Sequence, residues 1–269
     1  MALAQRQRQP EAKLLRPIIR SIVDLTDTLY LLDLEGFPDD FDPQPGQFLH
    51  IKVNDEDDPL LRRPISLQSY TDGVVRLLIR EVGIGTQILH GLREGDTMDA
   101  LGPLGTAFSP IGPGDRVLMV GGGVGVAPLL CSCHAADPAS EIDFCFGMAT
   151  APEIQGIDNF EADEERVRFH LSTDDGTAGY HGFCTEVAAR LLSDGAYTKL
   201  FTCGPWIMMD KAFRLVEQAG IPAETSLEVQ MGCGLGACLA CVYETVEGEF
   251  IRSCIDGPVV DGYTVVWER

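Results

Sequence analysis

The run Arg116-Val117-Leu118-Met119-Val120-Gly121-Gly122-Gly123-Val124-Gly125-Val126-Ala127-Pro128 carries an apolar strand pattern into a glycine turn, and residues 129–136 continue as a helix pattern. Strand, glycine turn and helix in that order belong to a parallel α/β sheet. Gly123-x-Gly125-x-x-Pro128 is a relative of the dinucleotide fingerprint, with proline where glycine usually stands. Backbone N–H groups of such a turn, with the helix N-terminus behind them, aim at a pyrophosphate. Proline suits the first helical turn because the N–H it lacks has no partner there. Further strand runs at 142–146, 167–172 and 199–203 extend the expected sheet over a nucleotide-binding domain of residues 113–224.

Upstream the pattern changes. Residues 18–23, 29–34, 45–53, 65–69 and 74–80 are short β-type runs separated by turn residues, the spacing of a small antiparallel barrel over residues 16–112. Residues 1–15 read as a flexible polar tail. Arg62-Arg63-Pro64-Ile65-Ser66 puts guanidinium groups, a rigid residue and a hydroxyl along one extended run. The planar fork of Arg63 suits a pyrophosphate. Gly83-Ile84-Gly85-Thr86 precedes a helix expected at 87–92, which is either an ordinary turn or a second anion site. Two anion sites exceed what a monophosphate needs, so the expected flavin is FAD.

Downstream, Cys233-Gly234-Leu235-Gly236-Ala237-Cys238-Leu239-Ala240-Cys241 is followed by Cys254. C-x4-C-x2-C with a distant fourth cysteine is the plant-type ligand pattern of a 2Fe–2S cluster. Small residues let the backbone fold round the inorganic core, and a hairpin turning at Glu247-Gly248 brings Cys254 back. A structural zinc is the alternative, although zinc ligands usually come as two C-x2–4-C pairs. Leu235 and Leu239 either pack inward or form an exposed patch that marks an interface.

The chain has 269 residues, nine of them cysteine, and a formal net charge of −21, which makes nucleic acid a poor partner. No apolar run is long enough to span a bilayer and no apolar signal core opens the chain, which points to the cytoplasm. Cysteines used there suggest metal or redox work rather than disulfides. Cys131, Cys133, Cys145 and Cys184 lack any such context and read as small core or near-surface residues. Thr173-Asp174-Asp175-Gly176 closes a strand with two carboxylates, which favour a free ribose hydroxyl and hence NAD over NADP.

Taken in order, Leu61-Arg62-Arg63-Pro64-Ile65-Ser66, Thr173-Asp174-Asp175-Gly176, Cys203-Gly204-Pro205 and the 231–241 cysteine run resemble the electron-transfer subunits of type B dihydroorotate dehydrogenase, within the ferredoxin–NADP reductase superfamily. The resemblance implies FAD in the barrel, NAD on the parallel sheet and a 2Fe–2S cluster in residues 225–269. By the same match, flavin contacts fall on Arg63, Pro64, Ile65, Ser66, the Leu78-Ile79-Arg80 strand end, Gly85 and Thr86. Cys203-Gly204-Pro205 lies by the nicotinamide, where Cys203 and Ser66 serve the reaction; a buried structural role is the alternative for Cys203. Ile65 departs from the aromatic residue commoner there. Gly123, Gly125, Asp174 and Asp175 complete the NAD contacts, and Cys233, Cys238, Cys241 and Cys254 hold the metal. The implied partner is an FMN-containing dehydrogenase subunit that oxidises dihydroorotate, two copies of each. Relatives with the same domain order serve sulfide, sulfite and ferredoxin-linked enzymes, which leaves a reductase for another partner open.

Overall fold

The computed structural model describes residues 12–54, 56, 58–154 and 166–267. Its first sheet runs through β1 (Lys13–Leu15), β2 (Ile18–Asp24), β3 (Leu29–Glu35), β4 (Phe48–Lys52), β5 (Arg63–Thr71), β6 (Val74–Arg80) and β7 (Asp99–Leu104), with helix α1 (Ile84–His90) between the last two. The spatial order is β1-β7-β4-β5-β6-β3-β2, all pairs antiparallel. A bridge between Ile18 and Thr97 brings β2 round to the chain entering β7, so the sheet curls into the expected barrel. The β4 segment Phe48-Leu49-His50-Ile51 shows what the curl does. Leu49 and Ile51 enter the barrel core, while Phe48 packs with Leu104, Cys241 and Cys254 on the other side. Both faces are covered, so the strand is buried throughout its first four residues.

Two expectations change here. The sequence suggests a tail through residue 15, but Lys13–Leu15 pairs with β7 in register Lys13↔Gly102; residues 1–11 lie outside the described part. Helix α1 starts at Ile84 rather than 87, so Gly85 and Thr86 sit inside its first turn. The Thr86 hydroxyl donates to Gly83 O at 3.0 Å and accepts from Val82 N at 3.0 Å, so a local side-chain bond starts the helix where the glycines suggest a turn.

The second sheet contains β8 (Arg116–Gly122), β9 (Glu141–Met148), β10 (Val167–Thr173), β11 (Tyr180–His181), β12 (Lys199–Cys203), β13 (Ala223–Ser226) and, near the end of the chain, β16 (Val259–Asp261). Helices α2 (Val126–Ala135), α3 (Cys184–Asp194) and α4 (Trp206–Glu217) cross between its strands. The order is β11-β10-β9-β8-β12-β13-β16, parallel except for β16. The order reverses between β8 and β12, the switch point at which such sheets open a crevice. Helix α2 faces both bodies: Leu129 and Leu130 join the sheet's core, Cys131 the barrel's.

The domain boundary expected at 224/225 runs through β13. Leu227 N donates to Pro258 O at 2.9 Å, and β16 then pairs antiparallel with β13. The cysteine-rich segment is therefore an excursion between two neighbouring strands of the second sheet. It contains the hairpin β14 (Val242–Glu244) and β15 (Phe250–Arg252), followed by the short helix α5 (Ser253–Asp256). Thr106 N and Oγ1 donate to Gly257 O and Val259 O at 2.6 and 2.7 Å, tying the end of the barrel to the end of the excursion.

At the opposite, N-terminal end of the parallel strands, Asp143 pins the sheet. Its carboxylate is buried, accepts two hydrogen bonds from Arg168 at 2.9 Å and one from the Tyr197 hydroxyl at 2.9 Å, and lies 2.8 Å from His170 Nε2. Burial opposes ionisation, but these partners outweigh it and hold the carboxyl far below the usual carboxylate range. The depressed folded value means the stabilisation is present above the ordinary carboxylate pKa, ~4, and is lost as pH falls below it. Asp143→Asn should cost about 1.5–3 kcal/mol in urea unfolding at pH 7, the scale of hydrogen bonds to a charged group. The gap between parent and variant should close as the titration proceeds to acid.

Candidate functional site

A cavity of about 520 Å³ opens where barrel, parallel sheet and excursion meet, well inside the range of small-molecule sites. The barrel contributes Arg63, Pro64, Ile65 and Ser66 from β5 and Leu78, Ile79 and Arg80 from β6, with Thr86 from α1. The switch point contributes Val124, Gly125 and Pro128 on one side and Cys203 on the other. Of the residues expected from the sequence, Gly85 stands directly behind this wall. A Cβ on Gly85 would lie 2.3 Å from Arg63 Nε, so the guanidinium rests on bare backbone at the first turn of α1. The two expected anion sites are thus one place. Arg80 is not free: its Nη2 sits 2.6 Å from Glu153 Oε2, an ion pair from the barrel to the turn after β9.

The glycines of the switch point fit one another. A Cβ on Gly125 would meet Cys203 O and Gly204 N at 2.6 Å, and one on Gly204 would meet Gly122 O at 2.8 Å. Gly204 has φ of +144° and Gly123 +56°, backbone that L side chains rarely adopt. Gly125 is therefore spent on the close approach of two turns, not only on exposing N–H groups. Pro205 precedes α4, and its ring packs where a Cβ on Gly122 would be 3.1 Å from it. Gly123, Gly204 and Pro205 shape the crevice without lining the cavity.

Asp174 and Asp175 lie beyond the cavity, in the turn that ends β10. Asp175 accepts from Thr177 N at 3.0 Å and Thr177 Oγ1 at 2.6 Å, bonds that lower its pKa, so it serves the turn itself. Asp174 makes no side-chain hydrogen bond among the described residues, and Asp175 uses only one of its two carboxylate oxygens on Thr177.

Several further residues, unassigned from the sequence, belong to the cavity. Phe48 and Met231 line it, as do Glu228 and Gln230. Burial raises the Glu228 carboxyl's pKa, and burial together with Glu228 raises the Cys203 thiol's. An acid three residues before a cysteine motif was the signal available for Glu228. Phe48 could be found only from the assembled fold.

The four cysteines form two pairs. Cys233 Sγ accepts from Leu235 N at 3.3 Å and Cys238 N at 3.4 Å, and Cys233 N points at Cys238 Sγ at 3.4 Å. Partial burial would raise the Cys233 pKa, but these N–H donors bring it down to about 7. Ser253 N donates to Cys241 O at 3.0 Å, which sets the wholly buried Cys254 beside Cys241; burial and that neighbour push the Cys254 thiol up to about 12. Among the described residues no three metal-ligating side chains converge on one ion position. A two-iron core takes two thiolates on each iron, so the pairs Cys233/Cys238 and Cys241/Cys254 fit it. Gly234 and Gly236, with φ of +71° and +74°, let the loop curl with its amides inward. Leu235 and Leu239 are exposed, the patch alternative rather than the packed one. Cys131, Cys133, Cys145 and Cys184 are buried in core clusters, with thiols raised by burial.

Residues 228–266 match the model of the iron–sulfur cluster binding domain of dihydroorotate dehydrogenase B, a span that includes all four paired cysteines. The chain is 38% identical over 83% of its length, and 87% of the relative's, to the dihydroorotate dehydrogenase B (NAD(+)) electron transfer subunit of Desulforamulus reducens. It is 34% identical over 92% of its length, and 90% of the relative's, to the probable subunit of the same name from Methanocaldococcus jannaschii. The chain belongs to this family of electron transfer subunits. Among solved structures it is similar to a chain of an NADH-dependent reduced ferredoxin–NADP oxidoreductase, with TM-score 0.82 and 29% identity over 93% of this chain and 90% of that one. A ferredoxin–NADP+ reductase from Neisseria gonorrhoeae, with FAD and NADP bound, shares the fold at TM-score 0.63 and 18% identity, over 78% of this chain and 93% of that one.

Within the family, the cysteine pairs give a direct test. Cys254→Ser should lose iron and loosen the excursion, because metal binding there is part of folding. Cys145→Ser, buried in another core, should keep full iron and acid-labile sulfide. Iron analysis of both purified variants decides it; stoichiometric zinc in the parent would overturn the assignment.

Proposed function

We propose that the chain moves electrons between an FMN-containing dihydroorotate dehydrogenase subunit and NAD, through a 2Fe–2S cluster and FAD, with two copies of each subunit in a cytoplasmic complex of pyrimidine biosynthesis. One observation carries this reading. Phe48 and Met231 line the cavity and also pack on Cys241 and Cys254, so one layer of side chains separates a flavin site from a cluster site. FAD supplies the exchange between the two currencies, hydride with NAD and single electrons with the cluster.

The chain's residues bind and orient. Arg63, on the bare backbone at Gly85, takes the flavin pyrophosphate, and the Thr86 hydroxyl fixes the turn beneath it. Ser66, paired with Phe48 across β4 and β5, meets the flavin ring edge. Pro64, Ile65, Leu78 and Ile79 keep water from its face. Arg80, fixed by Glu153, places a positive charge on the wall. Gly123, Gly125, Gly204 and Pro205 set the crevice in which NAD lies, with Cys203 facing the nicotinamide and the Glu228 carboxyl able to hold a proton beside it. Asp174 accepts from a ribose hydroxyl and disfavours a 2′-phosphate. No residue is assigned a step on dihydroorotate. A second reading, a reductase serving a ferredoxin-linked, sulfide or sulfite enzyme, draws support from the 29% identity to the ferredoxin–NADP oxidoreductase chain.

The isolated chain should pass electrons from NADH to artificial acceptors and leave dihydroorotate untouched. Adding the co-encoded FMN subunit should restore NAD-linked orotate formation. Leu235→Glu should weaken that coupling and spare the artificial-acceptor rate. Failure of the two subunits to co-purify, or dihydroorotate oxidation by this chain alone, would favour the second reading or a different one. In a separate measurement, Arg63→Ala should weaken FAD retention by ~1.5–3 kcal/mol, the scale of a hydrogen bond to a charged group. Chromatography of the heat-released flavin should return FAD; FMN would contradict the pyrophosphate role of Arg63.

A further inference from the structure

His50 is wholly buried in β4, yet among the described residues neither ring nitrogen has a partner in hydrogen-bond geometry. A buried imidazole left so is costly, and native structures rarely keep one without a use. The ring lies against the cysteine loop. A Cβ on Gly234 would stand 2.4 Å from Nδ1, so only glycine admits the ring there. The carbonyls of Cys233 and Arg62 approach the ring without reaching hydrogen-bond geometry. The strand around it is fixed. His50 pairs with Pro64 on one side and Leu101 on the other, and Arg62 Nη1 donates to both His50 O at 3.3 Å and Asp99 O at 3.1 Å. On the same face of β4, Phe48 sits edge-on to the ring with centroids 6.5 Å apart, between it and the flavin cavity.

We propose that His50 is a positioning residue for the iron–sulfur loop, its ring N–H donating to the Cys233 carbonyl when the cluster is bound and so locking the Cys233 side of the loop onto the barrel. An imidazole carries at least one N–H in either protonation state, so the role needs no titration. The bond satisfies the orphaned ring and turns the negative end of a ligand residue's peptide dipole toward a donor. Partners one step outside the ligands orient them and tune the metal, and their loss typically costs 10–100-fold in metal affinity. The inference rests on the proposed ligand role of Cys233.

The test compares parent, His50→Phe and His50→Gln, each purified with its cofactors. His50→Phe keeps an aromatic ring without a donor, and His50→Gln returns an N–H. Flavin content and thermal midpoint serve as controls for the fold. Iron loss to a chelator should be about 10-fold faster in His50→Phe. Its reduced cluster should show an altered EPR line shape and a lower midpoint potential, since a donor near the reduced, more negative core is gone. His50→Gln should return all three toward the parent. Should His50→Phe fail to take up FAD, His50→Met removes the donor at similar volume and carries the same comparison. Parent-like chelation, spectrum and midpoint in the donorless variant would overturn the proposal. Equal damage in His50→Gln would also overturn it, since shape rather than the donor would then matter. A parent without acid-labile sulfide would instead remove the cluster reading itself, and this inference with it.

Discussion

The antiparallel pairing of β16 on β13 is the constraint from which the rest of the site follows. It returns the chain to the strand it left and holds both ends of a thirty-odd-residue excursion (residues 227–258) at the sheet's edge. Because β13 ends on the cavity side, the excursion begins there, and Glu228, Gln230 and Met231 become cavity wall on the way to the first cysteine. The barrel closes the third side through Thr106 and its bonds to Gly257 and Val259. Three bodies meet at one crevice, and each contributes residues to its wall.

Glycine makes the same crevice possible at the switch point. Two turns, after β8 and after β12, come close enough that Gly125 and Gly204 touch backbone directly. Side chains there would force the turns apart and open the sheet between its two central strands. The motifs Gly123-x-Gly125 and Cys203-Gly204-Pro205, eighty residues apart, are thus two halves of one packing arrangement.

Much of this was legible because it is local. The glycine turn between strand and helix, the short barrel strands and the cysteine spacing each declare themselves within a few residues, and the hairpin that returns Cys254 forms where its Glu247-Gly248 turn predicts. The failures share a physical reason as well. The sequence puts the start of α1 too late because two glycines read as a turn, while the Thr86 hydroxyl closes a helical turn over them. The pairing of β16 with β13 bridges more than thirty residues and leaves no periodicity to read. Asp175 reads as a ligand to ribose, and one of its oxygens also accepts from Thr177, a contact that spacing does not reveal. Phe48 and His50 alternate with Leu49 and Ile51, so the pattern assigns them to an outer face. Only the assembled fold covers that face with the cysteine segment.

That the excursion joins two strands already bonded to each other also bears on how such a protein is assembled from parts. Joining adjacent antiparallel strands needs only a tight turn, and closure entropy grows slowly as that turn lengthens. A sheet can therefore accept a whole metal-binding module at this seam without changing the order of its strands. The reductase body and the iron–sulfur module are separable in principle by two cuts that lie side by side, near residues 227 and 258, and the parallel sheet would keep its strand order through that exchange.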